Sequence, residues 1–185
     1  MKLSQRLAIS YIRTKFKILT AISKKKAAEK AFELFCTPLR RNKKPLPKIF
    51  SAAETLHLRI DGVQVNGWRW NNSAYRKVLI LHGYESSATS FEHYVIPLIK
   101  KGYEVIAFDA PAHGRSDSNK VTLPQYKEMI KEIYKQYGPV QSYMAHSFGG
   151  LAVSLALEEI KHTEDYRLVL IAPATETTTA IDSFF

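Results

Sequence analysis

The sequence predicts an α/β fold, a mostly parallel sheet with helices on both faces, preceded by a basic N-terminal helix. Three observations carry that reading. Short, nearly continuous apolar runs recur at residues 77–82, 103–108, 140–145 and 167–172, as expected of strands buried on both faces. A single helical pattern separates each run from the next, which specifies right-handed crossovers and a parallel sheet. The composition, 45% apolar and 24% charged, excludes collagen-like, low-complexity and wholly disordered chains.

Residues 2–35 contain no proline and read as one helix. Within it Lys2, Arg6, Arg13, Lys17 and Lys24 fall in a stripe about 60° wide. Leu3, Leu7, Tyr11, Ile12, Phe16, Leu19 and Ile22 spread over the remainder, with Lys15 among them. Residues 1–50 hold 14 Lys/Arg against Glu29 and Glu33, a balance of +12, whereas the other 135 residues hold 13 basic and 15 acidic side chains. The excess charge therefore belongs to the N-terminal segment alone. It fits either a helix packed on the body with its basic side in water, or contact of residues 1–37 with an anionic membrane surface. Nucleic acid is not expected, because no stacking platform or groove-reading motif accompanies the charge. Arg13, Lys15 and Lys17 break the apolar centre that a signal peptide needs. No run of 18 apolar residues is present to span a membrane. A single cysteine, Cys36, forms no internal disulfide, so the expected location is reducing and cytoplasmic, with a peripheral place at the inner membrane surface as the alternative that the basic segment leaves open.

Pro38 to Pro47, with Arg40, Arg41, Lys43 and Lys44, reads as an extended connector whose charges keep it out of the core. The expected plan is a helical segment 1–37, a connector 38–50 and an α/β core 51–185. In the core, residues 55–60 and 64–70 alternate around Asp61-Gly62 as a hairpin. A buried strand follows at 77–82, a helix at 90–101 closed by Gly102, and a strand at 103–108. Then come a helix at 123–137, a strand at 140–145, a helix at 148–161 and a strand at 167–172. Ligand sites in such sheets lie beyond the carboxyl ends of the strands, which points to the loops starting at His82, Asp109 and His146.

The sharpest of the three is Ala145-His146-Ser147-Phe148-Gly149-Gly150, between a strand and a helix. A nucleophile elbow needs small residues two before and two after its serine, because strand and helix approach closely there. Ala145 and Gly149 meet that need, and the turn sets Ser147 at a helix N-terminus that favours developing negative charge. The second loop is His82-Gly83-Tyr84, and the third is Asp109-Ala110-Pro111-Ala112-His113-Gly114-Arg115-Ser116. With all three in order at strand ends, residues 55–175 resemble the α/β-hydrolase superfamily. The third loop resembles the family's Asp-x-Pro-Gly-His-Gly-x-Ser element, with Ala112 replacing glycine.

The finer likeness is to bacterial serine hydrolases of unassigned substrate that carry a basic N-terminal helix. There, Phe35-Cys36-Thr37-Pro38-Leu39-Arg40-Arg41 is similar to a Thr-Pro-Arg element. The resemblance implies Ser147 as nucleophile and the backbone N–H groups of Tyr84 and Phe148 as the oxyanion hole. It implies that His82 braces its loop, and that Asp109, His113 and Arg115 hold theirs. No metal or organic cofactor is implied, since no His/Cys/Asp cluster has ligand spacing.

The family orders its triad serine, acid, histidine. Only 38 residues follow Ser147, and His162 is the one histidine among them. Along a helix rising about 1.5 Å per residue it lies about 21 Å away. His57 and His93 sit on distant elements, and His146 points away from its neighbour in a strained turn. Glu176 is the candidate acid, with Asp182 behind it. The chain thus resembles a hydrolase ending after its sixth strand, with that strand an apolar edge open to self-association. Two functions follow: a serine hydrolase of small carboxylic ester or thioester substrates whose triad acid and histidine are absent from this chain, and a catalytically silent relative acting through membrane or partner contact.

Overall fold

The computed structural model describes residues 3–42 and 45–174. The chain divides into two compact units, Met1–Thr37 and Pro38–Phe185.

The first unit is two helices, α1 (Leu3–Ile22) and α2 (Lys24–Phe35), where the sequence predicted one. The break is Ser23, extended at φ −160°, whose hydroxyl accepts the Lys26 N–H at 3.3 Å. A serine side chain competes for backbone donors, and the hydroxyl offers the α2 N-terminus a cap that an unbroken helix cannot use.

The second unit opens with the connector and a one-turn helix, α3 (Lys48–Ser51). Phe50 accounts for that turn. Its ring stands edge-on to Trp68 and Trp70 at 5.2 and 4.9 Å, and Trp70 Nε1 donates to the Ile49 carbonyl at 2.8 Å. The hairpin β1 (Glu54–Ile60) and β2 (Val63–Trp70) turns on Asp61 and Gly62, both at positive φ, as a two-residue turn matched to strand twist requires. Next come β3 (Arg76–Leu81), α4 (Glu92–Lys100) after a 3₁₀ turn at Ala88–Phe91, β4 (Tyr103–Phe108), α5 (Leu123–Tyr137), β5 (Ser142–His146), α6 (Phe148–Leu157) and β6 (Arg167–Ile171).

The expected α6 runs to residue 161, but the helix stops at Leu157. Glu159, just beyond, is drawn to Lys127 and Lys131 of α5. The other expected elements stand within two residues of their predicted ends.

The sheet order is β1-β2-β4-β3-β5-β6, with β1, β2 and β4 antiparallel in sequence and β4, β3, β5 and β6 parallel. Alternation along β3 sends Leu79 and Leu81 to a core shared with α5 and α6, and Val78 and Ile80 to one shared with Phe50, Trp68, Phe91 and Val95. Helices therefore cover both faces, as predicted. Among the described residues two carboxylates are buried in the second unit: Asp109, just past β4, and Glu104, at the start of β4, which is paired with Arg69 at 2.9 Å. The register decides where the site forms. Leu81 pairs with both Phe108 and Ala145, so β3, β4 and β5 end level and His82, Asp109 and His146 leave the sheet at one edge.

Candidate active site

Ser147 follows β5 and caps α6 with φ 48° and ψ −117°. A side-chain-bearing residue held there costs on the order of 1–3 kcal/mol and persists only where surrounding contacts over-determine it. Those contacts are present. The Ser147 N–H donates to the Ile171 carbonyl at 3.1 Å, and its carbonyl accepts the Gly150 N–H at 2.9 Å. A methyl group at Gly149 would stand 2.6 Å from the His82 carbonyl oxygen and 2.9 Å from that of Leu81, so only glycine lets α6 lie this close to β3. Ala145 is fully buried beneath the turn.

Gly83 lies directly against the serine: a methyl group there would stand 3.0 Å from Ser147 Cβ and 2.7 Å from His146 Nδ1. The Gly83–Tyr84 peptide is thereby brought beside the Ser147 turn. The Tyr84 and Phe148 rings meet edge to face at 6.0 Å, which ties the two loops together. The Phe148 N–H opens α6 and has no acceptor within its own helix. Ser147, Tyr84 and Phe148 are thus assembled in one place. Glu176 and Asp182 lie outside the described residues.

The loops after β3 and β4 are saturated with internal hydrogen bonds. His82 is buried; its Nδ1–H donates to the Gly83 carbonyl at 2.7 Å and its Nε2 accepts the Ala110 N–H at 2.9 Å. His113 repeats the pattern, donating to the Pro111 carbonyl at 2.9 Å and accepting the Glu85 N–H at 3.0 Å. Burial pushes both imidazoles down to about 4, so both are neutral near pH 7. Asp109 accepts the Ala88 and Arg115 N–H groups, each at 2.8 Å, while burial pushes its carboxyl up. Ala112 holds φ 65°, a left-handed conformation that explains why glycine is at home at this position. The three buried side chains are braces, and each donor or acceptor they offer is engaged in holding a loop.

The family described as serine aminopeptidase (S33) matches residues 72–184, more than half of the chain. The chain belongs to that family, within the α/β-hydrolase superfamily.

Its relatives agree. The chain is 32% identical over 105 residues to an uncharacterized hydrolase of Bacillus subtilis, covering 54% of this chain and 38% of that protein. It is 28% identical over 109 residues to a human serine hydrolase-like protein, covering 56% and 53% of the two chains. The structure of an esterase from Pyrococcus furiosus superposes with a TM-score of 0.58 at 26% identity, covering 75% of this chain and 56% of that one. The chain therefore spans about half the length, or less, of these proteins.

In this family member, no described histidine hydrogen-bonds the Ser147 hydroxyl. His57 Nδ1 bonds Asn66 Oδ1 at 2.6 Å on the hairpin, and His93 is exposed beside Glu92. His162 bonds the Ile160 carbonyl beyond α6, and the His146 ring rests on Gly83. Among the described residues no three of His, Cys, Asp and Glu converge to hold a metal ion.

Four contributors were not legible in the sequence. Tyr126, on the buried face of α5, donates its hydroxyl to the His82 carbonyl at 2.9 Å, and its ring packs 5.7 Å from that of Phe148. The available signal was a tyrosine in register with Met129, Ile130 and Ile133. Arg41 is half-buried and not exposed as expected: its Nε donates to the Gly114 carbonyl at 3.1 Å and its Nη1 to that of Ser118 at 3.4 Å. Glu85 accepts the Leu39 N–H at 2.9 Å, and Asn42 donates to Ser87 and Thr89. The connector is thus clipped onto the loops that frame Ser147. Two carbonyls of the irregular loop between β4 and α5 give a guanidinium fork acceptors in the right directions, and this outweighs its hydration.

Proposed function

We propose that the protein is a serine hydrolase of carboxylic esters or thioesters with Ser147 as nucleophile. The observation that carries this reading is the strained Ser147 turn, held against Gly83 on one side and opening α6 on the other. Ser147 Oγ attacks the acyl carbon as its proton passes to a general base. The carbonyl oxygen takes up the electron pair and is held by the Tyr84 and Phe148 N–H groups at the α6 N-terminus. Collapse expels the alcohol or thiol, which leaves with the proton from the base. Water then cleaves the acyl-serine by the same steps.

The base in this reading lies outside the described residues, because the described histidines are braces or lie elsewhere. Removing the histidine of a comparable triad costs about 10⁶ in turnover. The 185-residue chain alone is therefore expected to react slowly and stoichiometrically with an activated fluorophosphonate. Labelling should be lost in Ser147→Ala, with p-nitrophenyl butyrate turnover close to background. Labelling that survives Ser147→Ala would overturn the assignment. The placement of the histidines also favours a second reading, a catalytically silent hydrolase-like protein. Absence of labelling in the folded wild type would select it.

A further inference from the structure

The helical unit carries an apolar surface that its own packing leaves uncovered. On α1, Phe16 and Leu19 are half-buried, whereas Leu7, Tyr11, Ile18 and Ile22 are 63, 68, 58 and 74% exposed. At 100° per residue those four side chains form one stripe about 60° wide along the helix. Lys15 borders it, and Arg6, Arg13 and Lys17 lie together farther round the helix. On α2, Phe32 and Phe35 are 62 and 56% exposed on one side, flanked by Lys24 and Lys25. Across residues 1–28 there are eight Lys/Arg and no Asp or Glu.

We propose that this unit is an interfacial anchor for an anionic lipid bilayer. The Leu7/Tyr11/Ile18/Ile22 stripe enters the boundary between headgroups and acyl chains. Arg6, Arg13, Lys15, Lys17 and the Lys24–Lys26 cluster meet the headgroup phosphates. Charge sign selects the occupant: an acid-free cationic segment is complementary to an anionic surface. Exposed apolar side chains on the same helix select lipid over nucleic acid, since a phosphate backbone offers a leucine or isoleucine nothing. No helix among the described residues is long and apolar enough to cross a membrane, so the anchor lies in the interface plane. The proposal is independent of the chemistry at Ser147.

The test is co-sedimentation of the full chain with vesicles of phosphatidylglycerol and phosphatidylcholine, against vesicles of phosphatidylcholine alone. Binding is expected to the anionic vesicles and to weaken as salt is raised from 0.1 to 0.5 M. Lys24→Gln/Lys25→Gln/Lys26→Gln should reduce the partition coefficient about 100-fold, taking about fivefold for each lysine at the surface. Ile18→Ser/Ile22→Ser should reduce it at least about tenfold. All five sites are exposed, so far-ultraviolet circular dichroism should match the wild type. Equal binding to neutral and anionic vesicles, or no binding to either, would overturn the proposal. So would an unchanged affinity in the Ile18/Ile22 variant, or tighter binding to duplex DNA than to anionic vesicles at matched salt.

Discussion

Strands β4 and β6 read almost alike in sequence, yet they stand in opposite environments. Tyr103–Phe108 is buried from its second residue to its last, paired on one side with β2 and on the other with β3. Among the described residues Arg167–Ile171 pairs with β5 alone, and Leu168, Val169 and Leu170 are 40, 50 and 39% exposed. The same contrast extends to the loops. Those leaving β3 and β4 are locked by His82, Asp109 and His113, whereas the β5–β6 side holds the strained Ser147. Buried hydrogen bonds are concentrated in the β3 and β4 loops, whereas β6 supports the Ser147 turn through the Ile171 carbonyl.

Four tests probe that contrast, from the largest effect to the smallest. Gly114 sits at φ 46°, and a methyl group there would overlap the Asp109 carboxylate. Gly114→Ala should therefore cost about 4 kcal/mol or more in urea unfolding, because it combines backbone strain with loss of buried charge-assisted hydrogen bonds. A cost below about 1 kcal/mol would mean that Asp109 does not lock this loop. Ile106→Ala, at the centre of β4, should cost about 3 kcal/mol, whereas Val169→Ala on β6 should stay below about 1 kcal/mol. Equal costs would remove the distinction between the two strands.

The third test is pH. His82 and His113 have folded values pushed from 6.5 down to about 4. The unfolded chain binds more protons in that interval, so stability is fully present above pH 6.5 and falls as pH drops toward 4. The loss by pH 4.5 should be on the order of 2 kcal/mol for each imidazole. Asp109, raised by burial, acts in the opposite sense and blunts the fall. Urea midpoints that stay level from pH 7.5 to 4.5 would show that the rings are not held neutral. Last, Val169→Lys should change stability by less than about 0.5 kcal/mol, because an edge position leaves the ammonium in water. A larger loss would place β6 inside a packed core.

Much of this architecture was legible because it is locally encoded. Asp61-Gly62 fixes a hairpin, Thr122 and Gln125 build the capping box that starts α5, and Ala145-x-Ser147-x-Gly149 satisfies a steric need created by two adjacent residues' neighbours. The loops at His82 and Asp109 were likewise legible as architecture. What escaped the sequence depends on partners far along the chain. Arg41 looks like a solvated charge until the Gly114 and Ser118 carbonyls, 73 and 77 residues on, are brought to it. The Tyr126 hydroxyl looks like a detail of an apolar face until the carbonyl of His82 arrives beneath it.

The sequence by itself determined the strands and helices of the sheet unit to within a few residues, that the sheet is mostly parallel, and that Ser147 occupies a strained turn. Apolar periodicity and turn chemistry act over a few residues and need no distant partner. Tertiary structure alone decided which polar groups are spent as braces, and which apolar side chains of α1 remain uncovered. Burial is a property of what arrives from elsewhere in the chain: His82 is neutral and fully bonded because Ala110 and Tyr126 close over it, while Ile18 and Ile22, no less apolar than Ile106, are left facing outward.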